Sequence, residues 1–134
     1  MFDVLDMGAS GLQAQRTRMD TIAANIANAN TTRNAHGQPI PYRRRFVLFA
    51  PGQPGASALP GVRVQEIKLD QSPFQKRYEP GHPDADADGY VKYPNIDLAM
   101  EYVNALEASR AYEANVTMME VSKQMLNASL RLIA

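Results

Sequence analysis

The sequence contains no cysteine, no excess of either charge and no long apolar run. Without cysteine the chain forms neither disulfide bonds nor thiolate metal sites. Its 14 Lys and Arg residues balance 14 Asp and Glu residues, which argues against a dedicated nucleic-acid-binding protein. Because the net charge is zero, electrostatic repulsion between copies of the chain is weak and does not prevent dense self-association. No apolar run approaches the roughly eighteen residues of a membrane-spanning helix, so we expect no nucleic-acid partner and no transmembrane segment.

The N-terminus also lacks the features of a secretory signal. Asp3 and Asp6 stand where a signal peptide carries basic residues, and Gly8, Ser10 and Gln13 interrupt any apolar core. The sequence therefore predicts that no signal peptide is cleaved. A protein of this kind that leaves the cytoplasm must use a route that does not read such a signal.

A long apolar stripe occupies the C-terminal part of the chain. No Gly or Pro lies between Ile96 and Ala134, and the stripe recurs in steps of four and three, the spacing of a coiled-coil seam. The stripe comprises Leu98, Tyr102, Ala105, Ser109, Tyr112, Val116, Met119, Lys123, Leu126, Leu130 and Ile133. A helix over these residues would be about 54 Å long, too long to bury its stripe on a small domain. The pattern therefore predicts a subunit of an assembly.

A second stripe runs through residues 2–30 with the same steps. It comprises Leu5, Ala9, Leu12, Arg16, Met19, Ala23, Ile26 and Asn30, and Ile22 widens it. Gly8 and Gly11 each cost about 1 kcal/mol in a helix interior, so we expect loose first turns, with Ser10 as a possible cap for a later start. Asn25 carries an amide that is able to bond across an interface, and Thr31 and Thr32 end the helix.

The segment between the two stripes reads as a small β module. All nine prolines lie in it, and strands are predicted at residues 42–49 and 62–69, with a bulge near Gln65 and Glu66. A flexible connection at 51–61 joins them, and a third, short strand is predicted at 90–93. We predict an α+β fold in which long N- and C-terminal helices pair as a coiled coil around an inserted β-rich domain. The three segments are 1–33, 34–96 and 97–134.

No motif in the sequence predicts catalysis or cofactor binding. The run from Asp84 to Gly89 matches the opening of an EF-hand calcium loop, but Lys92 and Asn95 occupy later ligand positions. The competing interpretation is a turn whose Asp side chains accept bonds from backbone N–H groups, and ion binding stays open as the alternative. The two histidines lie in loops, and no catalytic triad or phosphate loop is present. We expect no enzyme and no cofactor.

Three groups of residues resemble the bacterial flagellar axial (rod and hook) protein family. They are residues 10–15 with 19–28, residues 78–86 with 89–91 and 93–95, and residues 108–116. The first marks the family as a whole, and the other two narrow the resemblance to proximal-rod members. The resemblance implies a structural subunit that self-assembles helically in the periplasm and transmits motor torque to the hook. It also implies export through the flagellar type III apparatus, with other copies, other rod proteins and the rod-base protein as partners.

The stripes and the resemblance together define a predicted intersubunit interface. Its residues are Leu5, Leu12, Met19, Ile22, Asn25 and Ile26 in the first helix and Leu98, Tyr102, Ala105, Tyr112, Val116, Met119, Leu126, Leu130 and Ile133 in the second. A Pro- and Gly-rich loop is expected to contact an adjacent subunit through Gly81, His82, Pro83, Tyr90, Pro94 and Asn95. We further hypothesise that both helices are largely disordered in a dilute monomer, since isolated helices are marginal in water.

The run Arg43 to Arg45 is expected to lie on a strand that is solvated or forms intersubunit salt bridges, because alternate residues face opposite sides.

The rival function is a helical adaptor or chaperone of a secretion system, which would bind one client and stay cytoplasmic. The β module argues against the adaptor or chaperone function, because a chaperone needs no additional domain outside its helices.

Overall fold

A computed structural model describes residues 2–52 and 61–134. Two helices, α1 (Phe2–Ala27) and α2 (Leu98–Ile133), flank four strands. The strands are β1 (Arg45–Pro51), β2 (Val62–Leu69), β3 (Gln75–Tyr78) and β4 (Tyr90–Tyr93). The fold is therefore α+β, with two long terminal helices around a small β region, as the sequence predicts.

The two helices pack side by side in opposite directions. Gly8 of α1 lies against Met119 of α2, and Gly11 lies against Asn115. Further along, Asn25 bonds to Glu101. Residues that come later in α1 thus lie beside residues that come earlier in α2, so the two helices are antiparallel. When this register is continued, the start of α1 lies beside the turn of α2 that follows residue 122. The last turns of α2 therefore extend beyond the start of α1.

The first turns of α1 are regular helix, which corrects the expectation of a loose start. Gly8 and Gly11 are buried, and a Cβ at Gly8 would lie 2.5 Å from Cγ of Met119. Their lack of a side chain lets the two helices approach closely. Ser10 does not cap the helix either: its hydroxyl donates to the Met7 carbonyl and accepts from the Val62 N–H.

The helix boundaries follow from local hydrogen bonds. α1 ends at Ala27 and not near Asn30, because the chain turns there, with Thr31 N–H donating to the Asn28 carbonyl. α2 begins after Asp97, whose carboxylate accepts the Ala99 N–H at 3.0 Å. Asp97 is therefore the N-cap of α2.

The first sheet is an antiparallel hairpin with a bulge. Leu48 pairs with Glu66 and Phe49 pairs with Val64, so Gln65 is the extra residue. This confirms the predicted bulge. β1 begins at Arg45, later than the predicted residue 42, because Arg44 N–H donates to the Asn95 side chain instead of joining the ladder. The expected connection at 51–61 lies mostly outside the described residues.

The second sheet pairs β3 with β4, and Tyr78 stands opposite Tyr90. Strand β4 confirms the short strand predicted at 90–93. Strand β3 was not predicted, because all four of its residues are exposed and it shows no alternation of apolar and polar side chains. Gly89, with φ +84, leaves room for Tyr78, since a Cβ there would lie 2.9 Å from its ring.

The core among the described residues is small. Its buried apolar side chains are Ala14, Ile22, Val91, Tyr93, Ile96 and Ala108. Of the 36 residues of α2, only Glu101 and Ala108 are buried, and both lie in its first turns. None of the described helices is apolar over enough of its length to cross a membrane.

Candidate assembly interface and buried polar junction

Small side chains form the contact between the two helices. Gly8, Ser10, Gly11 and Ala14 are buried on α1, and Ala108 is buried on α2. These positions lie about one residue before the corresponding predicted stripe positions, which is a rotation of about 100° around the helix. The predicted stripe runs through large apolar residues, whereas closely packed helices select small ones. Most of the large residues therefore lie at the edges of the contact or outside it, and Met119, which packs against Gly8, is an exception.

The predicted interface residues accordingly divide into three groups by burial within the chain. Ile22 and Asn25 are buried. Leu5, Leu12, Met19 and Ile26 on α1, with Ala105, Tyr112, Val116, Met119 and Leu126 on α2, are half-buried. Leu98, Tyr102, Leu130 and Ile133 are exposed. The half-buried and exposed residues remain available to a neighbouring molecule.

Additional large apolar side chains on α2 are exposed beyond those predicted. Met100, Val103 and Leu106 are more than half exposed near its start, and Met125 and Leu132 are exposed near its end. Exposed apolar surface well beyond isolated side chains marks an interaction site in a protein. We refer to the exposed apolar side chains of α2 as the exposed helix face.

A buried amide joins α1 to the first sheet. The Asn25 side chain is fully buried and bonds both backbone groups of Arg45, donating to the carbonyl at 2.7 Å and accepting the N–H at 3.0 Å. It also donates to Glu101 and accepts from the Tyr42 hydroxyl. Burial is the largest influence on the Tyr42 hydroxyl and raises its pKa. Asn25 thus bonds within its own chain, where the sequence suggested an amide across an interface.

A buried ion pair lies next to this amide. Glu101 on α2 is 1 % exposed and accepts a bond from Arg44 Nε at 2.5 Å. A second nitrogen of Arg44 donates to Asp70 at 3.2 Å. Burial works to lower the pKa of Arg44, but its bonds to Glu101 and Asp70 outweigh burial and raise it. The expectation that this arginine is solvated or bonded between subunits is therefore wrong for Arg44.

Asn95 closes the same junction from the start of α2. Its side chain accepts the Arg44 N–H at 2.9 Å and donates to the Asp70 carbonyl and to Ser72. Ser72 bonds the Asp70 carboxylate through its backbone N–H and hydroxyl, and these bonds lower the Asp70 pKa, with Arg44 adding to the effect. We call Asn25, Arg44, Asp70, Asn95 and Glu101 the polar junction. It fixes both helices to the first sheet at the end where α1 stops and α2 starts.

The sequence offered only a weak signal for this junction. Alternation along a strand does separate Arg44 from Arg43 and Arg45, so Arg44 was the arginine to suspect. Its partners Asp70 and Glu101 lie far along the chain, however, and only the tertiary fold brings them together. No local pattern marks Glu101 as a buried residue, because acidic residues are favourable in the first turn of any helix.

The loop between β3 and β4 packs against the segment that follows α1. The Asp84 carboxylate accepts the Thr32 hydroxyl and Arg33 Nε, each at 2.8 Å. The Thr32 bond contributes most to lowering the Asp84 pKa, and Arg33 lowers it further. Pro94 and Asn95 are buried, whereas Gly81, Pro83 and Tyr90 are exposed and His82 is half-buried. Contact of this loop with an adjacent subunit stays a prediction.

The Asp-rich run folds as the turn interpretation expects. Asp86 accepts the backbone N–H groups of Asp88 and Tyr90, each at 2.9 Å. The His82 ring nitrogen Nδ1 accepts the Asp84 N–H. Over residues 2–52 and 61–134, no three His, Asp or Glu side chains group as metal ligands.

Two protein-family models match the two ends of the chain, and individual proteins are similar to nearly all of it. Residues 5–33 match the family described as flagella basal body rod protein, and residues 87–132 match the family described as flagellar basal body rod FlgEFG protein C-terminal. The flagellar basal-body rod protein FlgC of Bacillus subtilis strain 168 is 41% identical, covering 98% of this chain and 97% of its own. The chain belongs to the flagellar basal-body rod protein family.

Other FlgC proteins give the same result for this rod protein. That of Borreliella burgdorferi is 39% identical over 99% of the chain, and that of Salmonella typhimurium is 41% identical over 98%. Each alignment also covers 97% of the relative. The rod protein is a structural subunit of the flagellar basal body, where it assembles with other rod proteins. The first family match covers most of α1, and the second covers β4 and nearly all of α2, which carries the exposed helix face.

Proposed function

We propose that the chain builds the proximal part of the rod, where copies associate helically and transmit motor torque to the hook. Exposed apolar residues at both ends of α2, including Tyr102 and Leu130, carry the proposal. Burying one such side chain contributes roughly 1.5–3 kcal/mol, and every added subunit repeats the gain. Similarity to FlgC over nearly the whole chain supports the proximal position.

The interface of this proposal is the predicted set of residues. The exposed members Leu98, Tyr102, Leu130 and Ile133 contact neighbours directly. The half-buried members contribute their outer edges, while Ile22 and Asn25 act by holding α1 in place. Stiffness under torque follows from repeated packing of these side chains.

The proposal includes a route and a location. The chain crosses the inner membrane through the flagellar type III export apparatus without a cleaved signal and assembles in the periplasm, next to the rod-base protein. The role is structural and not catalytic, since the relatives carry the name of rod proteins. A secretion adaptor is disfavoured for the same reason.

The experiment is electron microscopy of basal bodies extracted from a strain that lacks the gene. We expect membrane rings without rod, hook or filament, and restoration by the wild-type gene. Intact flagella on the deletion strain would contradict the rod proposal and favour the adaptor.

Complementation with variants then tests the interface. Tyr102→Asp and Leu130→Asp place a charge on the exposed helix face and should not restore rods, because a charge buried without a partner opposes association. Lys76→Asp is the control, since Lys76 is exposed on β3, outside both helices. Normal swimming with Tyr102→Asp and Leu130→Asp would show that this face is not the interface.

A further inference from the structure

We propose that a groove beside the end of α1 receives the opposite end of the helix pair of a second copy, so that subunits join head to tail. The proposal deepens the proposed function, on which it rests, by naming one contact and its two surfaces. One surface is the groove; the other is the protruding tip of α2 together with the first turn of α1.

The groove has a volume of about 510 Å³ and lies between the segment after α1 and the first sheet. Its lining includes Asn28, Ile40, Tyr42, Arg43, Arg45 and Leu69. Ile40 is 52% exposed and Leu69 is 49% exposed. The part of the chain that the structure describes leaves these two apolar side chains open to a partner.

Two arginines of the groove, Arg43 and Arg45, form no ion pair with any described residue. Arg43 donates to the carbonyl oxygens of Asp70 and Ser72 and stacks over the Phe74 ring. Arg45 lies 5.5 Å from the centre of the Tyr42 ring. Among the described residues, the ion pairs of this region involve Arg33 and Arg44 and leave Arg43 and Arg45 unpaired. A groove with apolar walls and two such arginines fits a segment that is both apolar and acidic.

The other end of the molecule presents such a segment. Beyond the start of α1, the tip of α2 exposes Leu130, Leu132 and Ile133, the last two by more than four-fifths. Asp3 and Asp6, in the adjacent first turns of α1, are exposed and form no ion pair with any described residue. The tip therefore offers apolar side chains, and the first turns of α1 beside it offer two carboxylates, although Arg131 adds a positive charge to the tip.

A chain is unable to fill its own groove. The groove adjoins the end of α1, whereas the tip adjoins its start, and a helix of 26 residues separates them by about 39 Å. The occupant is therefore a second molecule. A contact between two different surfaces of the same molecule is repeated by each copy that is added. When the rotation between successive copies does not close a ring, the result is a helical array.

Disulfide trapping tests this contact, and the cysteine-free chain gives no background. Ile40→Cys combined with Leu132→Cys should, on oxidation of cells with assembled rods, give a ladder of linked dimers and larger species of this chain. Leu69→Cys with Leu132→Cys is a second pair across the same contact. Lys76→Cys with Leu132→Cys is the matched control, because Lys76 is exposed on β3 away from the groove, and it should give no ladder.

A charge exchange provides an independent test. Arg45→Glu, and separately Asp3→Arg with Asp6→Arg, should each reduce swimming, and the combination should restore it. Lys76→Glu, the same change of charge outside the groove, should leave swimming intact.

The outcomes separate this contact from the rod function. Assembled rods that give neither ladder nor recovery on charge exchange would overturn the head-to-tail contact while leaving the rod role in place. Links from Leu132→Cys to a different rod protein would overturn the second copy as occupant. Intact flagella on the deletion strain would instead remove the proposed function itself.

Discussion

At the scale of single residues, the most consequential side chains are charged and buried. Glu101 is nearly inaccessible, yet its carboxylate meets Arg44 and Asn25. Burying a charge is costly unless it is paired and hydrogen-bonded, so these residues are stable only when both helices and the first sheet are in place. The polar junction therefore makes the position of the β region depend on closure of the helix pair.

Removing one partner of the junction should be strongly destabilising. Glu101→Ala leaves Arg44 without its closest carboxylate, and the expected loss is about 3 kcal/mol, the low end for a broken buried pair, because Arg44 keeps Asp70. Glu107→Ala is the control, since that exposed ion pair with Arg18 should contribute less than about 1 kcal/mol. Urea denaturation followed by circular dichroism measures both. Equal losses would show that Glu101 is not a special position.

The Asp70 carboxylate should make stability depend on pH. Bonds from Ser72 and Arg44 hold the pKa of Asp70 below its ordinary value, so its carboxylate stabilises the fold above the unfolded pKa of about 4. That contribution disappears as the pH falls through the lower, folded pKa. Asp70→Asn should therefore destabilise at pH 7, and its deficit should shrink in acid.

Urea midpoints of wild type and Asp70→Asn across this pH range measure the effect. Ser72→Ala, which keeps the backbone N–H donor but removes the hydroxyl that bonds Asp70 and Asn95, should show a smaller deficit in the same direction. A deficit for Asp70→Asn that is constant with pH would mean that the carboxylate charge contributes nothing.

At the scale of the elements, the helix pair depends on residues without side-chain bulk. Gly8 and Gly11 allow α1 to lie directly on Met119 and Asn115. The same glycines lower helix propensity, so close packing and local preference oppose each other here. Packing prevails because it removes surface of both helices from water.

A side chain added at Gly8 should weaken the packing of α1 against α2, although it raises the helix propensity of α1. Gly8→Ala gains about 1 kcal/mol in propensity, but overpacking against Met119 costs about 1–3 kcal/mol. The thermal midpoint from circular dichroism should fall, and Met119→Ala in the same chain should recover part of the loss. A rise in midpoint with Gly8→Ala alone would contradict the close contact.

At the scale of the whole molecule, the chain exposes more surface than a compact protein of its mass. Its accessible area is 8997 Å², against about 7,000 Å² expected for a monomer of 14.8 kDa. The difference, roughly 2,000 Å², is comparable to the area that a specific protein interface buries. The molecule thus has the shape of a component whose remaining contacts come from neighbours.

Order in α2 should therefore depend on assembly. Its buried side chains lie in its first turns, and its end extends past α1. We expect amide hydrogens of α2 to exchange rapidly in a dilute monomer, fastest beyond residue 122, and slowly in extracted rods. Mass spectrometry of both states measures this. Full protection of residues 98–133 in the dilute monomer would contradict it.

Local sequence patterns determined the elements of this protein. Helical periodicity without Gly or Pro set α2 almost to the residue, prolines confined the β region, and the slip near Gln65 predicted the bulge. Such features depend on neighbours within a few positions and are therefore readable in one dimension. Family motifs at both ends added the rod assignment.

Only the tertiary structure decided which face of each helix is inside. Two periodic stripes are compatible with several rotations, and close packing of Gly8 and Gly11 chose one that leaves Tyr102 outside. The tertiary structure alone also paired Arg44 with Glu101 and Asp84 with Thr32, because the partners are distant in sequence. Burial and charge pairing are properties of three-dimensional proximity, and local pattern does not encode them.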